Sequence, residues 1–339
     1  MKKISTVFSE YLGLSFIVSI LGMMLSIFLS LENLFTNLVY WLLRGVLIAV
    51  VVYAVRRLKD NWSLKDLGFR IQRSWGKDIW FGFVGFCALY IVLLPLEAAN
   101  LPDYADSVSN SLGMFPDMSM PLLILFVTIA SLVFGFITGA WHEEIWYRGY
   151  IQGLFSKEIA PAVGFFISFI PFGLTHHFSH PDYNWLMILN VLISGAVFCL
   201  VYYATGSLLS AMTTHTLSNV IPTYAPFVFA KGYVSLSYVT LFGLGLIMLG
   251  FCYIGRKELK ELFVKTKQMF AESGIVYSGV GLLLGMLVFL ITWGRSVFAN
   301  KYGSSTRFIV YGVLGIVFVG ISFIKKRKNT PAAMKRCNI

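Results

Sequence analysis

The chain has 339 residues, 57% of them hydrophobic and 13% charged, with a formal net charge of +11 and a mean hydropathy of +0.75. A water-soluble domain of this length needs far more charge to cover its surface, so a soluble enzyme is excluded; no short alternating apolar segments of the kind an outer-membrane barrel needs occur either. The basic excess gathers in loops and at the tail, where it reads as topology-setting charge against anionic lipid, and no nucleic-acid partner is expected.

The composition and its long apolar runs predict an all-α, polytopic helical membrane protein. About ten transmembrane helices are expected, near 11–31, 36–55, 79–98, 121–155, 161–178, 184–204, 207–229, 235–254, 275–293 and 306–324. The first follows Met1-Lys2-Lys3 without a small-residue cleavage site behind it, and reads as a retained helix. In loop 56–78, Trp62, Leu64, Leu67, Phe69 and Ile71 are interleaved with basic residues, the pattern of an interfacial amphipathic segment. The fourth run is too long for one simple crossing and is expected either to start with an interfacial or tilted piece or to break near Gly149 or Gly153.

The basic loops 56–77 and 256–267 and the tail Lys325-Lys326-Arg327-Lys328 all fall on the side of the N-terminus if there are ten spans. That side is the cytoplasm by the positive-inside rule. The expected location is therefore the cell membrane, multi-pass, with both termini cytoplasmic. Arg295, Lys301 and Arg307 fall on the opposite side and fit this scheme poorly. Cys87, Cys199 and Cys252 lie in apolar segments without metal-like spacing, and with Cys337 they form no disulfide framework.

All five histidines, at 142, 176, 177, 180 and 215, fall in one central window with the pair Glu143-Glu144. Ionisable groups inside such apolar sequence mark a functional site. Glu144 and Arg148 are one helical turn apart and can pair, whereas Glu143 points about 100° away. Glu144 with Arg148 therefore reads as structural support, and Glu143 as the general base. Phe172 and His176 share a helix face, as do His215 and Asn219. Counted along their helices, the three groups lie at comparable depth. His142-Glu143 starts a zinc-protease motif that fails at Trp146, and His177 and His180 read as residues of a wet outer loop.

That set supports hydrolysis of a peptide bond. Glu143 takes a proton from water, His176 orients the water or shares its proton, and His215 with Asn219 donates to the oxyanion. Alternatively Glu143, His176 and His215 hold a zinc ion; a metal-free glutamate and histidine mechanism fits equally.

These motifs, Glu143-Glu144-Ile-Trp-Tyr-Arg148, Phe172-Gly-Leu-Thr-His176 and His215-Thr-Leu-Ser-Asn219, resemble the CPBP intramembrane protease family. That family includes type II CAAX prenyl endopeptidases and bacteriocin-processing and immunity proteins. The resemblance covers 55–230 as a protease core within a single membrane domain, 1–339. It leaves 235–339 as additional C-terminal helices and a basic cytoplasmic tail. It implies an intramembrane endopeptidase acting on a membrane-associated peptide or protein substrate, within the lipid bilayer. The other readings are a non-catalytic scaffold or immunity protein binding through the same pocket and, further off, a proton- or metal-coupled transporter. No inverted repeat of the transporter kind occurs.

Overall fold

The computed structural model describes residues 2–29, 33–70, 74–112, 125, 128–129, 131–179, 183–301 and 304–329. His180, Cys337 and the far end of the tail lie outside them. Among the described residues the protein is all helix, with no strand. In chain order the helices are α1 (Lys2–Phe28), α2 (Leu34–Asp60), α3 (Trp75–Leu112), α4 (135–158), α5 (Pro161–Ser179), α6 (Trp185–Thr205), α7 (Leu208–Val220), α8 (Tyr224–Ala230), α9 (Val234–Ile254), α10 (Arg256–Lys301) and α11 (Ser304–Asn329).

Six of these, among the described residues, are long and apolar enough to cross a membrane: those spanning Ile4–Phe28, Phe35–Asp60, Trp75–Asp106, Trp185–Thr205, Val234–Ile254 and Arg256–Val297. The expected count of ten is not confirmed among the described residues. The segment 207–229 is one that falls short. Pro222 has no N–H, and at that point the chain passes through a 3-10 turn, Ile221–Thr223. α7 is left with 13 residues, about 20 Å at 1.5 Å per residue, against a hydrocarbon core of about 30 Å.

Two further expectations are corrected. The basic stretch 256–267 is helix, not loop, and it runs as part of α10 to a bend at Gly274, whose φ is 67°. Leu259, Leu262, Met269 and Ser273 recur at helical spacing on its inward side, with Met269 buried among Phe165 and Cys199. The segment after α2 is in part packed into the bundle, with Leu64 left 42% exposed. Trp62 and Leu67 are about 1% exposed, and the guanidinium of Arg56 lies 4.2 Å from the Trp62 ring.

The helices pack as an interlocked bundle. α3 contacts α6, α7, α8 and α9, and α5 lies between α6 and α10. The C-terminal helices join this bundle closely. A Cβ on Gly281 or Gly285 of α10 would come within 2.9 Å of Val163 Cα or 2.7 Å of Phe166 O on α5, so the two backbones meet at a small-residue seam. α11 pairs with α1. Cys87, Cys199 and Cys252 are free thiols.

Candidate active site

α4 carries the glutamate pair and is not a regular helix. A π-helical stretch, Gly135–Trp141, leads into a short α-helical segment, His142–Glu144, and a second π-helical stretch follows over Ile145–Gln152. The Gly153 N–H reaches back five residues to the carbonyl of Arg148. The expected break at Gly149 or Gly153 thus takes the form of a wider helical turn. Such turns gather at functional sites because they re-aim side chains without ending the helix.

The two carboxylates part as a 100° step requires. Glu144 is 0% exposed and Glu143 is 23% exposed. Arg148 donates through Nη1 to Glu144 Oε1 at 2.9 Å and through Nη2 to the Gly195 carbonyl on α6 at 3.0 Å. Its guanidinium lies 4.4 Å from the Phe172 ring and 5.2 Å from that of Phe198. The buried charge is thus neutralised on one side and faced by aromatic rings on the other.

His215 joins the two glutamates. Its Nδ1 lies 2.8 Å from Glu144 Oε1, and its Nε2 lies 3.7 Å from Glu143 Oε2. A carboxylate accepts, so Nδ1 donates to Glu144, and Nε2 faces the Glu143 side. Phe198 stacks on the imidazole at 4.6 Å and 19°, and Phe172 meets it edge-on at 5.8 Å. Phe172 also contacts the His176 ring at 4.9 Å, and its carbonyl lies 2.7 Å from His176 Nδ1. That carbonyl fixes the proton of His176 on Nδ1 in the same way.

Asn219 enters from the next turn of α7. A Cβ built on Gly139 would stand 3.0 Å from Asn219 Nδ2 and 3.7 Å from His215 Nε2, and one on Gly135 would stand 3.5 Å from Asn219 Cβ. These two glycines let α7 approach α4. Their spacing, Gly-x-x-x-Gly, was visible in the sequence and would have predicted the contact. Phe198 and the Gly195 carbonyl carried no such signal.

The structure therefore brings Glu143, Glu144, Arg148, Phe172, His176 and His215 into one connected cluster, with Asn219 beside His215. His142 is buried, its Nε2 is 3.9 Å from Glu143 Oε1, and its ring lies 4.6 Å from that of Trp41. His177 stacks on Trp185 at 5.3 Å, away from these groups. The alternative zinc set of Glu143, His176 and His215 is not assembled as a cation cage. Among the described residues, no group of three His, Cys, Asp or Glu side chains is placed to hold a metal ion.

Glu143 opens on a cavity of about 340 Å³. Tyr147 and Pro171 line it from α4 and α5, Arg44 from α2, Ser15 and Ser19 from α1, and Thr292, Arg295 and Tyr311 from α10 and α11. A family model for type II CAAX prenyl endopeptidase Rce1-like proteins matches residues 123–221. Over this segment the chain is similar to that family. The matched segment encloses each motif residue from Glu143 to Asn219 and ends one residue past α7. Arg44 and Arg295 stand outside the Rce1-like segment and yet line its cavity. No curated protein and no solved structure matches the chain. The Rce1-like match and the apolar helices together support a membrane location.

Proposed function

We propose that this protein is an intramembrane endopeptidase that hydrolyses a peptide bond of a membrane-associated peptide or protein, with Glu143 as the general base. The observation that carries the reading is the placement of His215. One nitrogen is held by the buried Glu144–Arg148 pair, and the other faces Glu143 across 3.7 Å at the cavity wall. That gap exceeds a direct hydrogen bond and lets both groups contact a single water.

In this mechanism Glu143 takes a proton from the water as its oxygen attacks the scissile carbonyl. The oxyanion accepts from Asn219 Nδ2, and His215 stabilises the developing charge from the same side. Glu143 then returns the proton to the leaving amine as the C–N bond breaks. His176 orients the water, with its tautomer set by the Phe172 carbonyl. Glu144 and Arg148 do no proton transfer; they hold His215 in register. The chain sits in the cell membrane as a multi-pass protein with both termini cytoplasmic, a reading supported by the basic residues of 56–77, 256–267 and the tail.

The test uses purified protein in phosphatidylcholine nanodiscs with a farnesylated peptide ending in Cys-aliphatic-aliphatic-X, its unprenylated twin, and unrelated membrane-spanning peptides. Cleavage by wild type that Glu143→Ala abolishes supports the proposal. Cleavage that survives Glu143→Ala overturns the assignment of the base. Binding without cleavage by either protein favours a non-catalytic scaffold or immunity role for the pocket.

A further inference from the structure

We propose that Arg44 and Arg295 form a subsite that holds the terminal carboxylate of the bound peptide, an inference that rests on the endopeptidase reading above. The bundle contains two kinds of buried or half-buried arginine. Arg56 and Arg148 each have a carboxylate within 2.9 Å. Arg44 and Arg295 have no ion-pair partner among the described residues. Arg295 donates from Nη1 to Ser15 Oγ at 2.8 Å and from Nη2 to Ser19 Oγ, and its guanidinium lies 4.6 Å from the Phe16 ring and 4.9 Å from that of Tyr311. Arg44 lies 4.8 Å from the Trp41 ring, and its Nε is buried without a hydrogen-bond partner. The hydrogen bonds and ring contacts that hold both guanidiniums are to neutral groups. Both line the cavity that Glu143 lines, and among its described lining residues Glu143 is the one carboxylate.

An uncompensated cation among membrane helices is costly, and an anion entering beside it recovers that cost. A guanidinium matches a carboxylate with two parallel N–H donors. The hydroxyls of Thr292, Ser296 and Tyr311 line the same space. Depth favours a peptide end over a lipid headgroup. Ser15 and Ser19 lie near the middle of α1, and Arg44 lies ten residues, about 15 Å, into α2. Residues of α1, α2, α4, α5, α10 and α11 line the space, so a peptide running past Glu143 would reach them. The terminal carboxylate is the anion such an end carries whatever its sequence. Arg295, which fits the charge-based topology poorly, thereby acquires a reason to be inside the bundle.

The experiment compares the farnesylated peptide as a free acid and as a C-terminal amide, with wild type, Arg44→Gln, Arg295→Gln and the conservative Arg295→Lys, all in phosphatidylcholine nanodiscs. Cleavage is read as kcat/KM, and binding as Kd on the Glu143→Gln background. Wild type is expected to favour the acid at least tenfold in both. Each glutamine variant lowers that ratio several-fold, and Arg295→Lys restores part of it. Equal handling of acid and amide by wild type overturns the proposal, as does a ratio unchanged in both glutamine variants; if cleavage still requires Glu143, the endopeptidase reading survives. An arginine-dependent acid preference in binding without any cleavage keeps the carboxylate subsite and sinks the protease. If the variants instead lose affinity for phosphatidylglycerol while the acid-to-amide ratio stays flat, the site is for a lipid headgroup and the proposal falls.

Discussion

Two buried arginine clusters in this bundle invite comparison. Arg56 joins Glu10 of α1 at 2.8 Å, Asp60 at 2.7 Å and Glu158 of α4 at 3.5 Å, with Lys59 also on Glu10 and Trp62 against the guanidinium. Arg148 joins Glu144 at 2.9 Å with Phe172 and Phe198 against its guanidinium. Both obey the rule that a buried charge is paired. The difference is His215. The Arg56 cluster joins carboxylates to an arginine and a lysine, and it stitches α1, α2 and α4 together. The Arg148 cluster ends on an imidazole whose second nitrogen faces another carboxylate and a cavity. Buried charge alone is thus not a site. A titratable group that reaches from the buried network to an open space makes one.

Mutations can break or sharpen that contrast. The largest expected effect is at Glu143, where Glu143→Gln should lower kcat by about 10²–10⁴ while the thermal midpoint stays near wild type, because general-base catalysis is worth that much. Removing the oxyanion donor with Asn219→Ala should cost about 10²–10³ in kcat, measured on the same peptide. The paired clusters separate next. Arg148→Met should destabilise by about 3–5 kcal/mol by removing the cation from the buried Glu144, and Arg56→Met by less, because Lys59 still holds Glu10. Cleavage per folded molecule should collapse in Arg148→Met alone; an equal loss in Arg56→Met would erase the contrast. Gly139→Ala places a methyl 3.0 Å from Asn219 Nδ2, and a shift of the amide by a fraction of an ångström should cost about tenfold in kcat. Smallest is Asn33→Ala, which removes the side-chain acceptor for the Thr36 N–H at the start of α2; it should cost about 1 kcal/mol of stability and leave kcat unchanged.

Much of the site was legible because it is local. Glu144–Arg148 is an i,i+4 pair that any helix through those residues produces, and the 100° offset of Glu143 follows from the same geometry. Phe172 with His176 and His215 with Asn219 are likewise one-turn relations. The span count is not confirmed where local hydropathy is a weak guide. The run 207–229 mixes apolar residues with Ser, Thr, His and Asn, and Pro222 divides it, and the basic 256–267 continues into the helix whose Met269 packs with Phe165 and Cys199.

By itself, the sequence determined that the chain is a helical membrane protein, that its ionisable residues concentrate in one window, and which of them share a helix face. These follow from composition and from the helical repeat, which are properties of neighbours in the chain. Only the tertiary structure decided that His215 bridges the two glutamates, that Phe198 stacks on it, and that Arg44 and Arg295 complete the cavity from helices far away in sequence. Those contacts depend on how closely helices approach and in what rotation, which glycine seams and π-helical turns set in three dimensions.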